Sequence, residues 1–414
     1  MIRLLSLGSG STWPGEIALR FNKNFIKDFF STSDTKVILI AGTNGKTTTS
    51  TLIKFILEAD GKTVFQNEEG ANLLNGVASA IIKSVNFPKK ITYDFATFEI
   101  DENTLPQTLK QLKPHTLILL NLFRDQLDRY GEVNTIANNW RKSIQTLDKN
   151  TSLILNGDDP QIAYLGENCK ANVYYFGVSQ DLAQVKDIPH DVDSIYCPKC
   201  NSMLTYSGIS YSHLGKYQCL KCKFMNPTII NYNLELPLKG IYNKYNTNAV
   251  FTFLDQILHI PLEKIAIALK QFKPAFGRQE EIIYKGRKIY LLLSKNPTGF
   301  NQSIAVMNEI FGKDKRHLLL VLNDRIPDGK DISWIWDVEF EQLEGQIVVS
   351  GDRCLDMGIR LKYGEIEKFK ILEDLEDAVE EIVASTKKEE KIVILATYTG
   401  MLEVRKILVG KSLI

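Results

Sequence analysis

Ala41-Gly-Thr-Asn-Gly-Lys-Thr-Thr48 lies between an apolar run, Lys36-Val-Ile-Leu-Ile-Ala41, and a stretch from Thr47 to Ala59 with helical apolar spacing. The run reads as a buried parallel strand and the stretch after it as a helix. A loop of small residues in that position suits phosphate binding. Its backbone N–H groups can close around oxygens, the helix dipole favours negative charge, Lys46 neutralises β/γ oxygens, and the Thr47 hydroxyl can bind Mg²⁺. The general pattern has glycine where this chain has Ile40, so the loop is a variant. The bland alternative is a turn that binds nothing. Strand, Gly-Lys-Thr and helix in the required order favour the first reading and make Gly42, Thr43, Asn44, Gly45, Lys46, Thr47 and Thr48 candidate nucleotide contacts.

Outward from the loop, apolar runs at 94–98, 116–120, 151–155 and 172–176 alternate with helical stretches. This alternation predicts a mostly parallel α/β sheet. Residues 190–228 break the rhythm and read as an inserted ribbon. Helices are expected over Asn243–His259 and Pro261–Phe272, with a hinge at Gly277-Arg278. Strands near 288–293, 317–322, 346–349 and 392–396 then predict a Rossmann-like C-terminal α/β domain over 276–414, after a P-loop domain over 1–275. A chain of 414 residues suits two or three domains. A net charge of +1 provides no bulk field toward nucleic acid or an anionic membrane. The longest apolar runs, such as 116–123, fall far short of a membrane span. The N-terminal stretch has one basic residue, Arg3, and no clear secretory cleavage pattern. The expectation is a cytoplasmic protein, not integral to a membrane, free to work at its inner face.

Cys197-Pro-Lys-Cys200 and Cys219-Leu-Lys-Cys222 are separated by 18 residues. In a large chain expected in the cytoplasm this spacing favours metal over disulfides. Four thiolates close a tetrahedral Zn²⁺ site and leave no catalytic position open; a degenerate or redox pair is the alternative. His213 is expected at the surface rather than as a ligand, and Cys169 and Cys354 as buried packing residues.

Gly42-Thr-Asn-Gly-Lys-Thr-Thr48 resembles the nucleotide loop of the Mur ligases and folylpolyglutamate synthases. Further resemblances follow in order: Phe98-Glu99-Ile-Asp101, Asn121-Leu-Phe-Arg-Asp-Gln-Leu-Asp-Arg-Tyr-Gly131, Asn156-Gly-Asp-Asp-Pro160, Gly240-Ile-Tyr-Asn-Lys-Tyr-Asn246 and Gly277-Arg278. The resemblance implies that Glu99 and Thr47 hold magnesium, that Asn243 and Asn246 face the adenine or ribose side of ATP, and that Arg278 lies near the phosphates. Asn67-Glu-Glu-Gly-Ala-Asn-Leu73, the four cysteines, Lys295-Asn-Pro-Thr-Gly299 and Asn323-Asp-Arg-Ile-Pro-Asp-Gly-Lys-Asp-Ile-Ser-Trp-Ile-Trp-Asp337 are similar to the MurT branch of that family.

Departures from the wider family point the same way. About 35 residues precede the first strand, where most Mur ligases have a UDP-binding domain, which fits a lipid-linked substrate. Gln126 stands where many relatives have a metal-binding His, and no counterpart of their carbamylated Lys is evident near Trp140-Arg141, which leaves a second metal position open. Ser294-Lys-Asn-Pro297 replaces a segment that relatives use to hold an incoming amino acid, which fits ammonia as nucleophile.

The branch resemblance implies an ATP-dependent synthetase subunit. It would activate the α-carboxylate of D-glutamate in the stem peptide of lipid II as an acyl phosphate and amidate it with ammonia from a separate glutaminase resembling GatD. It also implies that an aspartate near Ser333-Trp-Ile-Trp-Asp337 completes the glutaminase's catalytic triad in trans. Asp337 is the first choice and Asp331 the second; a polar loop before a packed aromatic helix is the bland alternative for each. Arg124 and Arg129 read equally as phosphate contacts or surface charge, and Glu68, Glu69 and Asp125 as solvated charge. A folylpolyglutamate-synthase-like ligase and a non-catalytic P-loop scaffold stand as rival functions.

Overall fold

The computed structural model describes residues 12–67, 70–85, 93–124, 133–178, 192–232, 238–272, 278–312 and 314–410. Glu68, Glu69, Asp125, Gln126, Arg129, Gly277 and the side chain of Arg278 lie outside the described residues.

The first sheet contains β1 (Lys36–Ala41), β2 (Val64–Gln66), β3 (Phe95–Ile100), β4 (Thr116–Leu119), β5 (Ser152–Asn156) and β6 (Asn172–Phe176), in the order β2-β3-β1-β4-β5-β6. Every pairing in it is parallel. The alternation of side chains along a strand explains why β1 is apolar at almost every position. Val37, Leu39 and Ala41 enter one core, with Phe98, Leu117 and Trp140, while Ile38 and Ile40 enter the other, with Ile53, Leu57 and Phe253. Ile40, where a more typical loop has glycine, is a fully buried strand residue.

The inserted ribbon is a hairpin, β7 (Thr205–Tyr211) and β8 (Leu214–Gln218), with one cysteine pair before it and one after. The helix Ile241–Phe251 follows and continues into a π-helical turn, Thr252–Ile257, so the element read as one helix to His259 changes winding before its end.

The second sheet contains β9 (Arg278–Tyr284), β10 (Arg287–Leu293), β11 (His317–Val321), β12 (Gln346–Ser350), β13 (Phe369–Ile371) and β14 (Lys391–Ala396), in the order β13-β12-β11-β14-β10-β9. Only β9 runs antiparallel, on β10 at the edge. Alternation again feeds two cores: Leu318, Leu320 and Leu395 face one side, and Leu319, Val321 and Ile394 the other. The carboxyl ends of β1 and β10 face a common cleft, since Asn44 and Gly45 line it from one side and Lys295 and Gly299 from the other. Open α/β sheets bind ligands at such strand ends.

Candidate active site

The loop after β1 is held on two sides. Gly45 caps the helix Lys46–Ala59 with φ of 91°, and a Cβ there would stand 2.1 Å from Asn246 Oδ1, so glycine is required twice over. Thr43 Oγ1 donates to the Phe123 carbonyl at 3.2 Å and accepts from the Phe123 amide at 3.0 Å. Asn121 Oδ1 accepts from the Asn44 amide at 2.9 Å, and its Nδ2 donates to the Asn44 carbonyl at 3.1 Å. The strand end after β4 thus fixes the loop before any ligand arrives, which is the preorganisation that electrostatic catalysis needs.

Three charged side chains converge at the loop. Lys46 Nζ donates to the carbonyls of Gly42 and Thr43, and stands 3.3 Å from Glu102 Oε2. Glu99, at the end of β3, accepts from Thr47 Oγ1 and from Ser50 Oγ, each at 2.8 Å. Its own backbone is clamped by Asn67, which accepts from the Glu99 amide and donates to its carbonyl, both at 2.9 Å. The pair Thr47 Oγ1 and Glu99 Oε2 fits magnesium: adjacent oxygens of an octahedron with bonds of 2.0–2.1 Å are about 3 Å apart. Glu102 carries no motif of its own in the sequence. It sits one residue beyond the Glu99-Ile-Asp101 segment, and the Trp140 indole fixes its backbone by donating to the Glu102 carbonyl at 2.7 Å.

On the same wall of the cleft, Asn246 lies against Gly45 and donates to Asn243 Oδ1 at 3.4 Å, while Asn243 Nδ2 is turned to the Lys239 carbonyl at 2.7 Å. Asn246 therefore lines the cleft, and Asn243 braces its own helix turn. Tyr211 of the ribbon also lines the cleft, a contribution its sequence gives no sign of. Asn296 spans the two sheets. Its Nδ2 donates to Asn44 Oδ1 at 3.2 Å, and its Oδ1 caps the helix Pro297–Phe311 by accepting from Gly299 N at 2.7 Å.

The four aspartates of segment 323–337 separate by environment. Asp328 is buried, accepts from Thr399 N at 2.8 Å and from the Thr399 hydroxyl, and is pushed up in pKa by that burial. Asp324 pairs with Arg353 at 3.2 Å. Asp331 is exposed and accepts from the Ser333 amide at 2.8 Å; the Ser333 side chain and amide hold its carboxyl below the usual range. Asp337 ends the 3₁₀ turn Ser333–Asp337 and meets Arg124 Nη1 at 3.3 Å, with 37% of its side chain exposed. Arg124 is thus engaged by carboxylates, Asp337 and the buried Asp193. Beside Asp337, Trp336 packs edge-on to Tyr363 at 5.3 Å, and Leu355, Ile359 and Tyr363 form an exposed stripe along the helix Cys354–Tyr363.

The Sγ atoms of Cys197, Cys200, Cys219 and Cys222 all lie within 4.8 Å of one another, two of the pairs at 3.5 Å. Tetrahedral thiolates with Zn–S bonds of 2.3 Å are about 3.8 Å apart, so the cluster can hold such an ion. Two matching knuckles build it: Cys197 N donates to Ser202 O at 2.8 Å, Cys219 N to Phe224 O at 2.7 Å, and Asn201 and Lys223 each take positive φ. Burial raises the Cys197 thiol, so a cation is what would keep it ionised. His213 corrects the expectation of a surface residue. It is fully buried, 3.3 Å from Asp159 Oδ2 and tilted against Phe123 at 5.0 Å, because the hairpin folds its turn back onto the first sheet. Asp159 caps the helix Pro160–Leu165 and also accepts from Leu122 N at 3.0 Å, joining ribbon, turn and loop wall. Cys354 is buried as expected; Cys169 is half-buried, its Sγ 3.7 Å from the Ile144 carbonyl.

Comparison with known proteins agrees with this geometry. The profile of the Mur ligase middle domain matches residues 40–254 and that of the MurT ligase C-terminal domain residues 293–401. Among solved structures, a pseudomurein peptide ligase type C from Methanothermus fervidus superposes with a TM-score of 0.67 at 24% identity, over 90% of this chain and 78% of that one. A MurF ligase from Thermotoga maritima in complex with ADP gives 0.65 at 16%, over 92% and 81%. The shared architecture is that of a Mur ligase: a P-loop domain followed by a Rossmann-like one. Among sequences, the lipid II isoglutaminyl synthase (glutamine-hydrolysing) subunit MurT of Staphylococcus aureus (strain COL) is 32% identical over 86% of this chain and 84% of its own length. The subunit of the same name from Streptococcus pneumoniae (strain ATCC BAA-255 / R6) is 30% identical over 99% and 95%. The chain belongs to the MurT family. It is a ligase that forms C–N bonds in peptidoglycan synthesis. No described helix is long and apolar enough to cross a membrane.

Proposed function

We propose that this chain is the synthetase subunit of a glutamine-dependent lipid II amidotransferase. ATP transfers its γ-phosphoryl group to the α-carboxylate of D-glutamate in the stem peptide, giving an acyl phosphate and ADP. Ammonia adds to the acyl carbon and phosphate leaves, giving D-isoglutamine. The observation that carries the reading is the convergence of Lys46, Thr47, Glu99 and Glu102 on a braced loop at the mouth of the inter-sheet cleft. Lys46 and the loop amides offset charge on the transferring group. Thr47 and Glu99 would hold Mg²⁺, which supplies further charge stabilisation when bound. Asn246 would border the adenine or ribose, with Asn243 bracing its turn and Arg278 near the phosphates.

The glutaminase partner, resembling GatD, would dock on the apolar stripe of Leu355, Ile359, Tyr363 and Trp336, which suits a protein surface better than water. Asp337 adjoins that stripe and would orient the partner's catalytic His; Asp331 is the second choice. The four cysteines would hold a structural Zn²⁺. A boundary at 275/276 divides the two domains in this reading, and the enzyme works in the cytoplasm at the inner membrane face, where a lipid-linked substrate lies. Phosphate release by the full complex tests the assignment. It should require lipid II and either glutamine or ammonium. Release driven instead by a folate and glutamate, or no release with lipid II at all, would contradict it.

A further inference from the structure

Arg124 is where three parts of the chain meet. It directly follows Phe123, whose amide and carbonyl are both bonded to Thr43 of the phosphate loop. Its own amide donates to Asp193 Oδ2 at 2.8 Å, and its Nε donates to the other oxygen of that carboxylate. The Asp193 side chain is 3% exposed, so this end of the guanidinium is anchored. The outer arm, Nη1, crosses to the second domain and reaches Asp337 Oδ2 at 3.3 Å. A guanidinium is a rigid planar fork; with one arm fixed, the other has little freedom. Asp337 Oδ1 has no hydrogen bond among the described residues.

We propose that Arg124 is a positioning residue for Asp337, tying the carboxylate offered to the glutaminase to the loop that holds ATP. This rests on the reading of Asp337 as the partner's triad carboxylate. The consequence is a link between nitrogen supply and the nucleotide site. Asp337 is aimed at the partner only while the P-loop domain and the C-terminal domain are closed on each other, so glutamine is consumed when the cleft is assembled. Fold stability does not account for the contact, because a pair 36% and 37% exposed adds little.

The test uses the complex of the full chain with its glutaminase and compares Arg124→Gln, Arg124→Lys and Asp337→Asn. Each is assayed for amidation with glutamine, for amidation with ammonium, and for the rise in glutamine hydrolysis when ATP and lipid II are added. Arg124→Gln should lower glutamine-driven amidation on the order of ten- to a hundredfold, the scale of a misplaced catalytic group. It should spare ammonium-driven amidation and flatten the response of hydrolysis to ATP. Arg124→Lys should recover part of the loss, since it keeps the charge without the fork; it also carries the test if Arg124→Gln does not fold. Equal loss with both donors would return Arg124 to phosphate binding and overturn the proposal, as would no loss with either. If Asp337→Asn alone loses glutamine use, only the role of Arg124 falls. If Asp337→Asn keeps it, the reading beneath falls as well.

Discussion

The phosphate loop and the Ser333–Asp337 turn each hold a charged pair, and they hold it in opposite ways. Lys46 and Glu102 have 11% and 6% of their side chains exposed, inside a loop braced by Asn121, Thr43 and Asn246. Arg124 and Asp337 stand at a rim, over a third exposed, next to a Trp336 that is 51% exposed. A charge meant to stabilise a transition state works best where water is excluded and nothing has to reorient. A group meant for another protein's active site has to be reachable, and gains its dry environment only when the partner covers it. The two regions therefore differ as expected if one performs phosphoryl transfer and the other serves a second subunit.

The largest effect expected from this contrast is at the rim. Asp337→Asn keeps the shape of the side chain but cannot hold a histidine in the required tautomer. Glutamine-driven amidation should fall by up to roughly 10⁴-fold, the cost of the equivalent change in a serine protease triad. Ammonium-driven amidation measured in the same preparation should largely survive, and the two subunits should still co-purify. Equal loss with both donors would move Asp337 into the synthetase chemistry and erase the contrast.

Lys46→Ala comes next. Removing a fixed cation from the transferring phosphoryl group should slow amidation on the order of 10²-fold or more. Here the loss should be the same with glutamine and with ammonium, which initial rates with each donor will show. Near-normal turnover would remove the loop from the chemistry.

The ribbon should behave as neither region does. Metal analysis should find about one Zn²⁺ per chain, and Cys219→Ser should lower the melting temperature while turnover at low temperature changes little, because a four-thiolate site has no open position. A fully active, metal-free native protein would refute the zinc assignment. The smallest effect belongs to the inter-domain amide pair. Asn296→Asp keeps the cap on its helix but loses the donation to Asn44. At about 1 kcal/mol for one hydrogen bond, the KM for ATP should rise roughly fivefold with kcat nearly constant. A fall in kcat alone would show that Asn296 acts in the chemical step.

Much of the fold and part of the site are legible in the amino-acid sequence. The strand–loop–helix around Lys46 is readable because an apolar run, a loop of small residues and a helical apolar spacing follow one another, and the buried strands because parallel pairing leaves apolar runs. Strands β2 and β13, of three residues each, are too short to carry a period. Strand β9 begins Arg278-Gln-Glu-Glu281, a polar antiparallel edge that does not look like a core strand. At the site, Glu99 follows from its motif. Glu102, Asn296 and Tyr211 escape a reading of the sequence because their roles depend on partners far along the chain: Asn296 meets Asn44 across 252 positions, and no local pattern records that. His213 misleads for the same reason, since Asp159 and Phe123 bury it from outside its own hairpin.

The central proposal is that ATP activates the stem-peptide carboxylate in the cleft between the two sheets. Lipid II carrying ¹⁸O in the α-carboxylate of its D-glutamate tests this directly. The complex is supplied with that substrate, ATP and ammonium, and the released phosphate is analysed by mass. An acyl phosphate intermediate sends one labelled oxygen into phosphate for each amide formed, and Lys46→Ala should suppress label transfer and amide together. Amide formation with unlabelled phosphate would contradict the account.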